Sequence, residues 1–129
     1  VDEGLIVARG QYAYVVLNRY PYNAGHVLVC PFRHTADYID LSADEVAEFI
    51  ELTRTAIDVL AAVSAPQGFN VGMNQGRLAG AGIAAHLHQH IGPRWGGDTN
   101  FMPVIGTTRV LPELLERTRE LLAEAWPSS

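Results

Sequence analysis

Lysine is absent from this chain of 129 residues, and all nine of its basic residues are arginine. That excludes a Walker A phosphate loop, which needs a Gly-Lys pair, and any lysine Schiff-base chemistry. Cysteine occurs once, at Cys30. One thiol makes neither an internal disulfide nor a cysteine zinc cluster, and a reducing cytoplasm is the expected location. No apolar run reaches the ~18 residues of a membrane span, and no charged-then-apolar signal opens the sequence. Val1, not methionine, stands first, which leaves room for natural residues upstream. Positive charge is scarce. A net charge of −5 argues against a general nucleic-acid binder. What is present reads as globular: 48% of residues are hydrophobic and only 18% charged. The length suits one domain, residues 1–129, with a core of its own, and is short for two.

The order of elements follows from local patterns. Two Val/Ile/Tyr-rich runs in GLIVARGQYAYVVLNRY are split by Arg9-Gly10 and read as a hairpin. Pro21 and Asn23-Ala24-Gly25 form a loop, and His26–Cys30 is a short strand stopped by Pro31. Ser42 with Glu45 three residues on is a capping-box signature. It opens a helix over Ala43–Ser64, ended by Pro66, with Val46, Phe49, Ile50, Thr53, Ile57 and Leu60 as its periodic positions. Phe69, Val71 and Met73 alternate as in a strand. A glycine loop, the histidine stretch and an irregular segment with room for one short strand follow. A last helix covers Leu111–Trp126, with Pro112 in its first turn and Leu114, Leu115, Leu121 and Leu122 on one side. Strands come in consecutive groups, which points to α+β with a mainly antiparallel sheet.

The stretch HLHQHIGPRW puts three of five histidines at alternate positions: His86, His88 and His90. In a helix they would split between faces, and Gly92-Pro93 closes the segment too soon for one. In a strand all three share a side, ~7 Å apart, with Leu87, Gln89 and Ile91 behind. Three outcomes are open for such a row. It can be a His₃ zinc site. It can be a nucleophile for phosphorus with neighbours that orient it. Or the imidazoles can be solvated or core residues without a role. The glycines of NQGRLAGAG, just upstream, let backbone N–H groups approach an anion, which suits the nucleophile better than zinc. Gly80-Ala81-Gly82-Ile83-Ala84-Ala85 formally matches a dinucleotide-binding fingerprint, but no helix can follow it before Gly92-Pro93, so that reading is rejected.

His86-Leu87-His88-Gln89-His90-Ile91 resembles the signature of the histidine triad (HIT) family, His-φ-His-φ-His-φ-φ with φ apolar. LNRYPYNAGHVLVCPFRH is similar to a second family segment, and NQGRLAGAG lies where the family contacts phosphate. The likeness covers most of the chain, from about Leu5 to Pro103. The tail PRWGGDTNFMPVIG further resembles the branch that phosphorolyses diadenosine tetraphosphate. The resemblance implies a HIT-like fold: a five-stranded antiparallel sheet with two helices, paired with a second sheet in a homodimer. It implies a nucleotidyl transferase or hydrolase acting on dinucleoside polyphosphates or related adenine nucleotides. His88 would be the nucleophile, His90 the partner of the phosphate oxygens and leaving group, His86 the orienting group, and His26 a support from the neighbouring strand. Asn18, Asn74, Gly80, Ala81, Gly82 and Ile83 would contact the nucleotide, and Trp95 would stack on a base or join a dimer contact. No resident metal or cofactor is expected, with Mg²⁺ entering at most on the substrate polyphosphate. A HIT hydrolase, such as a purine nucleoside phosphoramidase, is the alternative within the family. A His₃ zinc enzyme or a non-catalytic nucleotide-binding module is the alternative outside it. Gln89 and Gly92 depart from the apolar positions of the signature, so the face behind the triad should be less apolar than usual. Gly82 stands where many relatives carry a polar side chain. His34 is expected at the surface.

Overall fold

The computed structural model describes residues 3–19, 25–76, 86–96 and 110–128. The first hairpin forms as read: strand β1, Ile6–Arg9, and strand β2, Ala13–Leu17, with Gly10 N–H closing the turn on Ala13 O at 2.7 Å. The β1–β2 register slips between Ile6 and Ala8, so Val7 forms a bulge. β2 pairs with strand β3, Val27–Pro31. Helix α1 covers Ala43–Ser64, the span its sequence signals define. Ser42 Oγ accepts from Glu45 N–H, and Glu45 accepts from Ser42 N–H in return, so both halves of the capping box form. Ala65 in left-handed geometry ends the helix one residue before Pro66.

Strand β4, Gly68–Gly72, and strand β5, Gln89–Arg94, complete a five-stranded sheet in the order β1-β2-β3-β5-β4, antiparallel throughout. Helix α2, Val110–Ala125, follows, with Pro112 in its first turn. Two single-turn 3₁₀ helices, Glu3–Leu5 and Tyr38–Asp40, fill out the described residues. The short strand considered for the segment after Trp95 falls outside them.

The sheet has two unlike faces. Ala13, Val15 and Leu17 of β2, Val27 and Val29 of β3 and Ile91 of β5 lie on one face and are at most 2% exposed. They pack against Phe49, Leu52, Ala56, Val59 and Leu60 of α1. Each such side chain contributes ~1.5–3 kcal/mol by leaving water. The buried stripe of α1 is rotated from the one read in the sequence. Leu52, Ala56 and Val59 point inward and Ile50 outward, because apolar residues lie on both flanks and the sheet selects one. Leu121 of α2 is likewise exposed, whereas Leu115 and Leu122 are buried.

The histidine strand has other bounds than its sequence implies. Gly92-Pro93 does not stop the strand as expected: β5 runs through both to Arg94. Its pairing with β3 ends at Ile91, so from Gly92 on, among the described residues, it has β4 alone beside it. Such an edge tolerates a proline that lacks an N–H. At the other end the ladder begins only at Gln89, leaving His86 and His88 ahead of it. The alternation of faces still holds there. Leu87 is buried, and its N–H donates to Thr35 O at 2.8 Å in place of a strand partner.

Candidate active site

The face away from α1 carries the histidines. Register aligns Val16, Leu28, His90 and Gly72 in one row across β2, β3, β5 and β4. His26 and Asn18 stand one step further on, where Asn18 N–H donates to His26 O at 2.9 Å. Gly25 sets the entry of His26. Its φ of +86° is the left-handed geometry that favours glycine, and an added Cβ would lie 2.9 Å from Leu60 Cδ2.

Hydrogen bonds assign the protons of these rings. His88 Nδ1 lies 2.8 Å from the carbonyl oxygen of His86. A carbonyl only accepts, so Nδ1 carries the hydrogen and the Nε2 lone pair is free of it. His86 Nε2–H donates to Pro31 O at 2.8 Å by the same logic. Asn18 Nδ2 donates to His26 Nδ1 at 3.4 Å, which leaves the His26 hydrogen on Nε2. That Nε2–H donates to His90 Nδ1 at 2.9 Å, and the His90 hydrogen is therefore on its own Nε2. The His88 and His90 rings meet edge to face, centroids 5.0 Å apart. The result is an imidazole with an outward lone pair next to an imidazole with an outward N–H, a pairing suited to attack on an electrophile whose oxygens need a donor.

Burial favours the neutral form of His26 and His90. It pushes His26 down to about 4, with the neighbouring His90 adding to the shift. Burial also lowers His90, with His88 as the second cause. His86, His88, His90 and His26 are all half-buried, whereas His34 is exposed as expected and lies against the His86 ring at 5.2 Å between centroids.

The remaining assigned residues fall in three groups. Asn18 joins the histidines. Asn74, exposed, follows β4 one register step beyond the Gly72–His90 pair, on the side of His88. Trp95, half-buried, sits past the end of β5, five residues and ~16 Å of strand from His90. Gly80, Ala81, Gly82 and Ile83 lie outside the described residues. Of the two departures from the signature, only Gln89 is behind the triad. Gly92 is on the histidine face opposite Asn70, where an added Cβ would stand 4.0 Å from Asn70 O, in ordinary contact. Among the described residues no group of three or more His, Cys, Asp or Glu is arranged to hold a metal ion, and no helix is long and apolar enough to cross a membrane.

One polar feature near the sheet had no sequence signal. Glu48 of α1 reaches the β1–β2 turn and accepts from Gln11 N–H at 2.9 Å, Tyr12 N–H at 2.5 Å and Ala13 N–H at 2.6 Å. Glu45, buried beside it on α1, is paired with Arg33 at 2.8 Å, and that bond holds its carboxyl well below the usual range, at about 2.

This sheet, with paired imidazoles on its free face, is what the HIT domain family builds. That family matches the chain over residues 2–96, and the chain belongs to it. The chain is 53% identical over 125 residues to an AP-4-A phosphorylase of Mycobacterium tuberculosis, covering 97% of this chain and 64% of that relative. It thus spans a little under two thirds of the curated relative's length. A histidine triad nucleotide-binding protein from Sulfolobus tokodaii superposes with a TM-score of 0.77 at 26% identity, over 94% of this chain and 82% of that one. The diadenosine triphosphate hydrolase of Plasmodium falciparum, at 22% identity, shares the fold with a TM-score of 0.80 over 96% of this chain and 77% of its own.

Proposed function

We propose that the chain transfers a nucleotidyl group through a covalent intermediate on His88, and that its reaction is phosphorolysis of diadenosine tetraphosphate to ATP and ADP. The observation that carries the reading is the proton placement: a free Nε2 on His88 beside a donor Nε2–H on His90. His88 Nε2 forms a bond to the α-phosphorus, and the bond from that phosphorus to the bridging oxygen breaks, releasing ATP. An oxygen of inorganic phosphate then bonds the same phosphorus, the N–P bond breaks, and ADP leaves with His88 restored. The His86 carbonyl stabilises the charge His88 gains on Nδ1–H. His90 donates to the phosphate oxygens and leaving group, and His26 holds His90 in the tautomer that can do so.

Asn18, Asn74 and the segment Gly80–Ile83 take the nucleotide being transferred. Trp95, at its distance along β5, suits the distal half of a dinucleoside substrate. Arg94, on the histidine face and bonded to Asn70 Oδ1 at 2.9 Å, is the cation assigned to the acceptor phosphate. No resident cofactor enters these steps, and Mg²⁺ accompanies the polyphosphate. The likeness to an AP-4-A phosphorylase supports phosphate over water as acceptor. Cytoplasmic action is consistent with the single buried thiol of Cys30. A homodimer through β4, the edge strand of the described sheet, where Val71 is 48% exposed, would join two sheets.

Three experiments test this. Incubation of diadenosine tetraphosphate with and without phosphate should give ADP plus ATP only with phosphate. AMP at equal rates in both would make the chain a hydrolase. His88→Ala should abolish turnover while nucleotide binding persists, and near-normal activity would end the nucleophile assignment. Light scattering at micromolar concentration should give a dimer mass.

A further inference from the structure

Gln89 interrupts the apolar pattern of the triad strand, and its side chain is not in solvent. Gln89 Nε2 donates to Thr53 Oγ1 of α1 at 2.6 Å. The Thr53 hydroxyl donates in turn to Phe49 O, one helical turn back, at 2.7 Å. The three groups form a polar link from the middle of α1 to the peptide between His88 and His90. Both side chains are half-buried, on the face where Ile91 and Val29 are fully buried. A leucine at position 89 would fill such a place at no polar cost.

The position of the link in the fold suggests what it does. Gln89 is the first residue of β5 and pairs there with Val29 of β3. Before it the ladder has ended, and the His88 ring bonds back to His86 O. His90, after it, is held by the ladder and by His26. The relative placement of the two rings therefore turns on the Gln89 backbone. Pairing holds that backbone on one side, and the side-chain bond to Thr53 holds it against the helix on the other. We infer that Thr53 is a positioning residue which, through Gln89, sets the His88–His90 geometry. The inference deepens the reading of His88 as nucleophile and rests on it for its kinetic consequence.

The test uses Thr53→Val, Gln89→Leu and the double variant. Thr53→Val strands a half-buried amide and should lower the urea midpoint. The double variant replaces both partners with apolar groups, which is close to neutral in stability, so its midpoint should return near that of the unmodified chain. Its kcat should not return. All three should lose ~10-fold or more in kcat on diadenosine tetraphosphate with KM little changed, within the ~100-fold that a 1 Å misplacement can cost. Nitrogen NMR of histidine-labelled protein should show the His88 and His90 imidazole signals moved in all three. If kcat recovers with stability in the double variant, or the imidazole signals stay in place, the link is merely structural and the inference falls. If the unmodified chain turns over no adenylate substrate, the proposed function fails, and the imidazole spectra still decide the inference.

Discussion

Acidification should destabilise this fold through His26 in a narrow window. In the unfolded chain an imidazole titrates near 6.5, whereas burial and the neighbouring His90 bring folded His26 down to about 4. Between those values the unfolded state binds a proton that the folded state refuses, so stability falls as pH falls. Above 6.5 both states are neutral at His26 and it contributes no pH dependence. Below 4 the loss is complete. Each pH unit of that window is worth ~1.4 kcal/mol at full strength. His26 is only half-buried, and solvent screening roughly halves the figure. The expected loss is ~1–2 kcal/mol between pH 6.5 and 4. Urea unfolding of the unmodified chain and of His26→Gln at pH 7, 6, 5 and 4 measures it. Glutamine keeps a polar side chain at the site and cannot titrate. Carboxylates elsewhere titrate in both proteins and cancel in the difference. The stability gap between the two should therefore shift by ~1–2 kcal/mol in favour of the variant as pH drops. A gap that stays constant across the window would refute the assignment of a neutral, desolvated His26.

Two further changes probe the frame around the site. Glu48→Ala removes the acceptor of three turn N–H groups. Because water replaces part of what is lost, it should cost ~2–3 kcal/mol by denaturant midpoint, with Glu48→Gln intermediate. Gly25→Ala meets both the positive φ and the Leu60 contact at 2.9 Å. It should destabilise by ~1–3 kcal/mol and lower activity by displacing His26, and loss of neither would show that the turn relaxes freely.

Features written in short range were legible. The bounds of α1 could be read because a capping box and a following proline act within a few residues of the ends they define. The β1–β2 hairpin and the α+β class are of the same kind, and the HIT resemblance named the histidines before any geometry was known. Whatever depended on a distant partner was not legible. Which stripe of α1 is buried was decided by the sheet it lies on. The strand through Gly92-Pro93 was possible because the pairing of β5 with β3 ends at Ile91. The carboxylate of Glu48 serves a turn 35–37 positions away, and Gln89 finds Thr53 at a separation of 36. The sequence by itself determined that three imidazoles would alternate along one segment, because side-chain direction in an extended chain has a period of two. Only the tertiary structure decided where their protons are. A ring nitrogen takes or yields its hydrogen according to the group it faces, and here those groups are Pro31 O for His86, His86 O for His88, and His26, itself turned by Asn18, for His90.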